Sequence, residues 1–301
     1  MKLQRLLGVL AAGLMTLTAC GQNVETPAAG NEGEESIDSI VVLEFGALDT
    51  LQALGVSDKV VGIPKGGVVP ESLSEFADDK YADVGTMQEP NIEKIAELDP
   101  DLVIAGFRNQ SLVPELQKNF NVLDVTYDQN KPFVEGASEA ATKIGEALGM
   151  ADEVEERLAG FREQVEEAKA EVPEGATALV VMSSGGKLSA LAPAGRYSLI
   201  YNDLGFTPAI PDVNPDSHGD PISFEGIQKA NPDYLFVLDR DAAIGQEGGE
   251  AAEQILDNAL VHETTAWQED QVVYLDGARW YIMIHGLDNV EKMLEDVTEK
   301  L

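Results

Sequence analysis

Two arginines, Arg108 and Arg240, stand 132 residues apart at the same place in a repeated stretch of chain, each just beyond an apolar run. Guanidinium does not lose its charge at any physiological pH and offers a planar fork of donors, so such a pair supplies fixed cations for an anion. Glu93 and Glu225 form a second matched pair at the same spacing. Each falls in the first turn of a predicted helix, where a carboxylate complements the helix dipole. Residues able to catalyse are scarce. Ser183-Ser184-Gly185-Gly186-Lys187-Leu188 looks briefly like a phosphate loop, but the earlier glycine and the following Ser or Thr are missing, so it reads as a strand-end turn. The chain holds no nucleophile elbow and no His-Glu-x-x-His. His218, His262 and His285 sit in unrelated contexts, His262 on a helix surface, which gives bare zinc or manganese no convergent ligand set. No catalytic residue and no intrinsic cofactor is assigned.

The matched pairs imply the elements that must hold them. The segment Ile92 to Ile104 aligns without gaps to Phe224 to Phe236. In both copies a short helix opens on a capping residue, Asn91 or Ser223, and runs through Pro-Asp (Pro100-Asp101, Pro232-Asp233) into a buried strand. Ahead of the first copy, Ile40 to Leu43 reads as a strand, Leu48, Leu51 and Leu54 mark a helix ending at Gly55, and Val60 to Ile63 is another strand. Ahead of the second, Ala178 to Met182 is a strand, followed after a loop by a helix from about Tyr197 to Leu204. Strands alternating with helices predict parallel sheets covered on both faces. Between the copies, Met150 to Val172 reads as one long helix whose Val154, Leu158, Phe161 and Val165 share a face, with Pro173 just past its end. The fold class is therefore α/β: two Rossmann-like lobes joined by a long interdomain helix, with a cleft at the C-terminal edges of the sheets.

Lys2 and Arg5 precede a short apolar run that stops at Leu17-Thr18-Ala19-Cys20. This is the pattern of a secretory signal peptide and resembles the bacterial lipobox, with Cys20 as the site of lipidation and the anchor to the membrane. Cys20 is the sole cysteine, which excludes disulfides, zinc–thiolate clusters and any other thiol nucleophile. The expected organisation is a leader over 1–19, a flexible tether over 20–36, an N-terminal lobe over 37–149, a bridging helix over 150–173 and a C-terminal lobe over 174–301. The product is expected to be extracytoplasmic and monomeric. With 20 Lys and Arg against 54 Asp and Glu, its net charge of −34 repels nucleic acid. That field does not forbid an anionic small ligand, because beyond about 8 Å it is screened at physiological salt.

From Ile37 onward the chain resembles the binding proteins of bacterial ABC importers for iron siderophores, and among them the lipoproteins that take catecholates such as enterobactin and petrobactin. The resemblance is carried by Val84 to Asn91 leading into Pro100 to Ile104, by Ala194-Gly195-Arg196, Ser217-His218-Gly219, Phe236 to Arg240 and Trp280-Tyr281. Phe107 departs from it, since a smaller residue is expected before the arginine. The resemblance implies a ferric siderophore as ligand, held by Arg108, Arg196, Arg240, His218, Trp280 and Tyr281. A ferric tris-catecholate is a trianion with an aromatic skin, and at about 5 Å and an effective dielectric near 20 each guanidinium attracts one unit of its charge by roughly 3 kcal/mol before desolvation. His218 and Tyr281 are implied as iron ligands when a tetradentate siderophore leaves two positions open. Glu93 and Glu225 are implied as docking points for the ABC permease, beside their plainer part in complementing a helix dipole. Haem or a corrinoid in the same fold is the alternative, with a lipid-anchored α/β hydrolase further off.

Overall fold

Ile40, Val41 and Val42 form β1 (Ile40–Val42), and every one is buried because the strand is covered on both faces. Alternation splits its side chains: Ile40 and Val42 face one core, Val41 and Leu43 another. The computed structural model describes residues 36–215, 218–246 and 250–301. The expected leader, Cys20 and nearly all of the expected tether lie outside them. Ile37–Leu301 forms one compact unit.

The first sheet contains β1, β2 (Val60–Ile63), β3 (Ala82–Asp83), β4 (Leu102–Ala105) and β5 (Val122–Asp124) in the order β3-β2-β1-β4-β5. All its pairings are parallel, as the alternating pattern predicts. The second sheet contains β6 (Thr177–Ser184), β7 (Lys187–Ala190), β9 (Asp220–Pro221), β10 (Tyr234–Asp239) and β11 (Val272–Leu275) in the order β11-β10-β6-β7-β9, with β8 (Thr207–Pro208) pairing β6. It departs from the all-parallel expectation at β7, which pairs antiparallel with both β6 and β9. The cause is the supposed phosphate loop: Gly185 and Gly186 stand at φ 57° and 71°, the two left-handed positions of a tight hairpin turn between paired Ser184 and Lys187.

The duplicated units fold alike. Helices Ile92–Leu98 and Phe224–Ala230 are capped by Asn91, whose Oδ1 accepts the Lys94 N–H at 3.1 Å, and by Ser223, whose Oγ accepts the Gly226 N–H at 3.2 Å. Both end in a left-handed residue, Asp99 or Asn231. The Pro-Asp turns then do the same work in each lobe. Asp101 Oδ2 accepts the N–H and hydroxyl of Ser39, each at 2.9 Å, and Asp233 Oδ2 accepts those of Thr177 at 2.8 and 2.7 Å. The hydroxyls in turn accept the aspartate N–H groups at 3.0 Å. These clasps start β1 beside β4 and β6 beside β10, so both strand pairs deliver their C-terminal ends at one level.

The long helix runs over Ala151–Glu171, and Val154, Leu158, Phe161 and Val165 are all buried as their spacing predicts. The region expected to be a helix from Tyr197 to Leu204 is instead a 3₁₀ turn, Gly195–Tyr197, followed by a π-helical turn, Leu199–Asp203. After β11 a second π-helical turn, Ala278–Met283, leads into the last helix, Asn289–Thr298. One hydrophobic core runs through both lobes, joining Ile40 and Ile104 to Val180 and Phe236 by way of Phe133, Phe161 and Trp280. Among the described residues no helix is long and apolar enough to cross a membrane.

Candidate functional site

Arg108, Arg196 and Arg240, remote from one another in sequence, converge on a single side chain. Their guanidinium carbons lie 4.7, 5.5 and 5.8 Å from the centroid of the Tyr281 ring. Each arginine also holds the 280–281 stretch by a hydrogen bond. Arg108 Nη2 donates to the Tyr281 carbonyl, Arg196 Nη1 to the Trp280 carbonyl at 2.8 Å, and Arg240 Nε to the Tyr281 hydroxyl at 3.1 Å.

Each approach is set by local structure. Arg108 follows β4 in a 3₁₀ turn, Phe107–Leu112, locked by buried Asn109. The Asn109 amide accepts the Gly106 N–H at 2.9 Å and donates to the carbonyls of Leu43 at 3.0 Å and Met87 at 3.1 Å, tying together the loops after three strands. Phe107 itself stands at φ 49°, a conformation that a bulky residue keeps only when its surroundings impose it. Arg240 opens a one-turn helix capped by Asp239, and Arg196 sits on the 3₁₀ turn after Gly195, whose N–H bonds the Gln129 carbonyl of the first lobe at 3.0 Å. Tyr281 is presented by the π-helical turn, a form that recurs at functional sites.

The charge state follows from the partners. Of the three arginines in the cluster, only Arg240 has a carboxylate within ion-pair reach among the described residues, Asp241 Oδ1 at 3.6 Å. Arg108 and Arg196 appear in no ion pair there, so among the described residues two positive charges of the cluster have no carboxylate partner. They also act on the phenol of Tyr281. Burial pushes its pKa up, but the hydrogen bond from Arg240 and the charges of Arg108 and Arg240 outweigh it and bring the phenol below its ordinary range. A small polar cavity of about 120 Å³ opens beside Arg196, lined also by Gln129, Asn130, Leu191 and Pro215. A larger hollow of about 620 Å³ between Pro132, Lys143, Arg162 and Asp203 shares no residue with the arginine cluster.

The other expected residues are placed differently. Trp280, expected at the ligand, is fully buried behind the cluster: its Nε1 donates to Asp296 at 3.0 Å and its ring stacks on Tyr197. Only its carbonyl reaches the site. Its large apolar ring completes the shared core. His218 is exposed on the loop before β9, and no contact with Tyr281 joins it to the cluster among the described residues. No group of three His, Cys, Asp or Glu is arranged to hold a metal there. Glu93 and Glu225 are both exposed in the first turns of their helices. The Glu225 carboxylate takes its own backbone N–H and the Ser223 hydroxyl, which hold it below the usual carboxylate range. His262, expected on a helix surface, lies on a short 3₁₀ turn, stacked on Trp267 at 4.2 Å and 2.9 Å from Asp257. Sequence reasoning missed Asn109 and His285. Asn109 carries the signal of a polar residue immediately after a matched arginine, whereas nothing local marks His285 as a buried partner of Glu44.

The sequence profile of the periplasmic binding proteins matches residues 40–278. The petrobactin-binding protein of Bacillus subtilis (strain 168) is 35% identical over an alignment taking in 100% of this chain and 99% of the relative. The ferric-anguibactin-binding protein of Vibrio anguillarum is 28% identical, covering 96% and 95%. Among solved structures, the petrobactin-binding protein of Bacillus subtilis superposes with a TM-score of 0.83 at 38% identity, over 88% of this chain and 92% of that one. The periplasmic catecholate-siderophore binding protein of Vibrio cholerae gives 0.83 at 31% identity, over 88% and 95%.

Proposed function

Since the chain belongs to the periplasmic binding protein family, we propose that it is a solute-binding protein, not an enzyme, that captures a ferric siderophore of the catecholate type and hands it to an ABC permease for iron uptake. The observation that carries this is the convergence of Arg108, Arg196 and Arg240 on Tyr281, with two of the three guanidiniums showing no carboxylate partner among the described residues. A trianionic catecholate complex can engage all three guanidiniums, and its rings match a surface of guanidinium planes. Haem carries two propionates and wants an axial ligand in a mostly apolar pocket, which fits the cluster less well. The relatives' names point the same way, to petrobactin, anguibactin and catecholate ligands.

The mature protein is a monomer held at the outer face of the cell membrane by lipid on Cys20. It docks on the permease through Glu93 and Glu225, the two first-turn carboxylates that the duplication puts at equivalent places. Titration of intrinsic fluorescence with ferric catecholates, hydroxamates and carboxylates tests the ligand class. Saturable quenching by catecholates at the lowest concentrations is expected, and a preference for hydroxamates, or a Soret band on the purified protein, overturns the reading.

A further inference from the structure

Residues 284–289 run from the turn that carries Tyr281 back onto helix Phe45–Ala53 of the first lobe. Ile284, a β-branched residue, stands at φ 51°, where only imposed geometry keeps such a side chain. His285 beside it is 1% exposed, and its Nε2 lies 2.9 Å from Oε2 of Glu44, itself 4% exposed. That same oxygen accepts the Ala47 N–H at 2.8 Å and caps the helix. Among the described residues neither ring nitrogen of His285 has a hydrogen-bond partner of good geometry. A buried imidazole with so little satisfaction calls for a reason. The approach is close from both sides. A Cβ on Gly46 would fall 2.2 Å from the Met283 carbonyl oxygen, and one on Gly286 would fall 2.3 Å from Oδ2 of Asp49.

The place matters. Glu44 follows β1 and Phe107 follows β4, the neighbouring strands at which the order of the first sheet reverses, where open α/β sheets leave a crevice. His285 sits between them, its ring 4.6 Å from that of Phe107, with Tyr127 edge-on at 6.1 Å. Phe107 and Arg108 are consecutive, so one residue grips His285 while the next grips Tyr281, four positions upstream. We infer that the buried Glu44–His285 pair is a positioning device for the ligand site: it fixes the 278–283 turn against the Arg108 loop and so presents Tyr281 to the three guanidiniums. The inference rests on reading the arginine–tyrosine cluster as the ligand site.

A double-mutant cycle separates positioning from simple stability. With ferric enterobactin, a hexadentate tris-catecholate, as the probe, H285Q is expected to weaken binding roughly three- to tenfold and R108A about tenfold or more. The double variant should bind no worse than R108A, because the contact being positioned is already gone. Losses that multiply, or an H285Q protein that binds like wild type, overturn the inference. H285F retains a ring over Phe107 but loses the nitrogen facing Glu44, so it should share the H285Q loss, and full affinity would assign the anchoring to stacking alone. E44Q, which retains an acceptor for Ala47, replaces H285Q if that variant does not fold. A readout without ligand distinguishes the two failures. In a W267F background the emission of Trp280 should shift to the red in H285Q, and an unchanged spectrum overturns the anchor whether or not any siderophore binds. A wild-type protein that ignores ferric catecholates overturns the ligand reading while leaving this spectral test of the anchor standing.

Discussion

Asp203 of the second lobe accepts the backbone N–H of Val134 at 3.3 Å, so a carboxylate from one lobe caps the helix Phe133–Leu148 of the other. Pro132 at that helix start supplies no side-chain cap, which leaves the position for a group from outside. Burial raises the Asp203 pKa to about 6, with the N–H groups of Val134 and Phe133 pulling the other way. A folded-state pKa above the unfolded value means that protonation favours the fold. The contribution is complete below the ordinary carboxylate range and is lost as pH rises through about 6. D203N should abolish that dependence while retaining an acceptor. Wild type should therefore gain melting temperature relative to D203N as pH falls from 7.5 to 5, and parallel curves by circular dichroism would contradict this. Asp49, raised to about 6 chiefly by burial and accepting the N–H groups of Asp288 and Asn289, should add a second contribution of the same sign.

The arginine cluster predicts graded loss of ligand. Replacing Arg108, Arg196 or Arg240 singly by Ala should weaken ferric-catecholate binding about ten- to a hundredfold, the range expected for a charge-assisted contact of about 1.5–3 kcal/mol. Arg108→Ala removes a charge and also frees the Tyr281 carbonyl. Unchanged fluorescence titrations for both Arg108→Ala and Arg240→Ala would remove the cluster from the binding site.

What the sequence disclosed and what it hid have a common physical explanation. The duplicated helix–turn–strand was legible because its signals are local: a cap at Asn91 or Ser223, an apolar step at Ile95 or Ile227, a Pro-Asp turn and a strand buried on both faces. Arg108 and Arg240 were legible because the repeat carries them. The role of Tyr281 as the common partner was not, since it depends on a π-helical turn and on three loops meeting in space. Trp280 and Tyr281 are both buried, yet Trp280 stacks on Tyr197 while Tyr281 lies under the three guanidiniums, a division made by a π-helical turn that the local sequence does not announce. The Glu44–His285 contact joins positions 241 residues apart through a strap at strained φ, beyond the reach of any pattern in the chain.

Glu93 and Glu225 stand exposed at matching first turns, but Glu225 is engaged with its own helix start through Ser223. Helix complementation and permease docking make different predictions for their removal. A Glu93→Ala, Glu225→Ala double variant that docks poorly should bind ferric siderophore as wild type does and yet fail to restore iron uptake in cells lacking the native protein. Normal uptake with a slightly lowered melting temperature would reduce both residues to helix caps.

Tyr281 offers the sharpest test of how the ligand is held. Burial raises its pKa, but the hydrogen bond its hydroxyl takes from Arg240 and the nearby guanidiniums outweigh that and lower it, so forming the phenolate that iron would bind costs less than for a free tyrosine. Ferric iron wants six donors, and a linear bis-catecholate provides four, leaving two positions that Tyr281 and His218 would complete. His218 is exposed on its loop before β9, so that loop would have to bring the imidazole to the metal as the ligand arrives. Complexes that differ only in denticity separate coordination from pocket shape. If the two residues bind iron, Tyr281→Phe and His218→Ala should weaken tetradentate complexes about tenfold or more and shift their charge-transfer band, while hexadentate complexes bind nearly as before. If Tyr281→Phe weakens both classes alike, the phenol serves only to hold Arg240 in place. If His218→Ala changes neither class, iron takes its remaining donors from water.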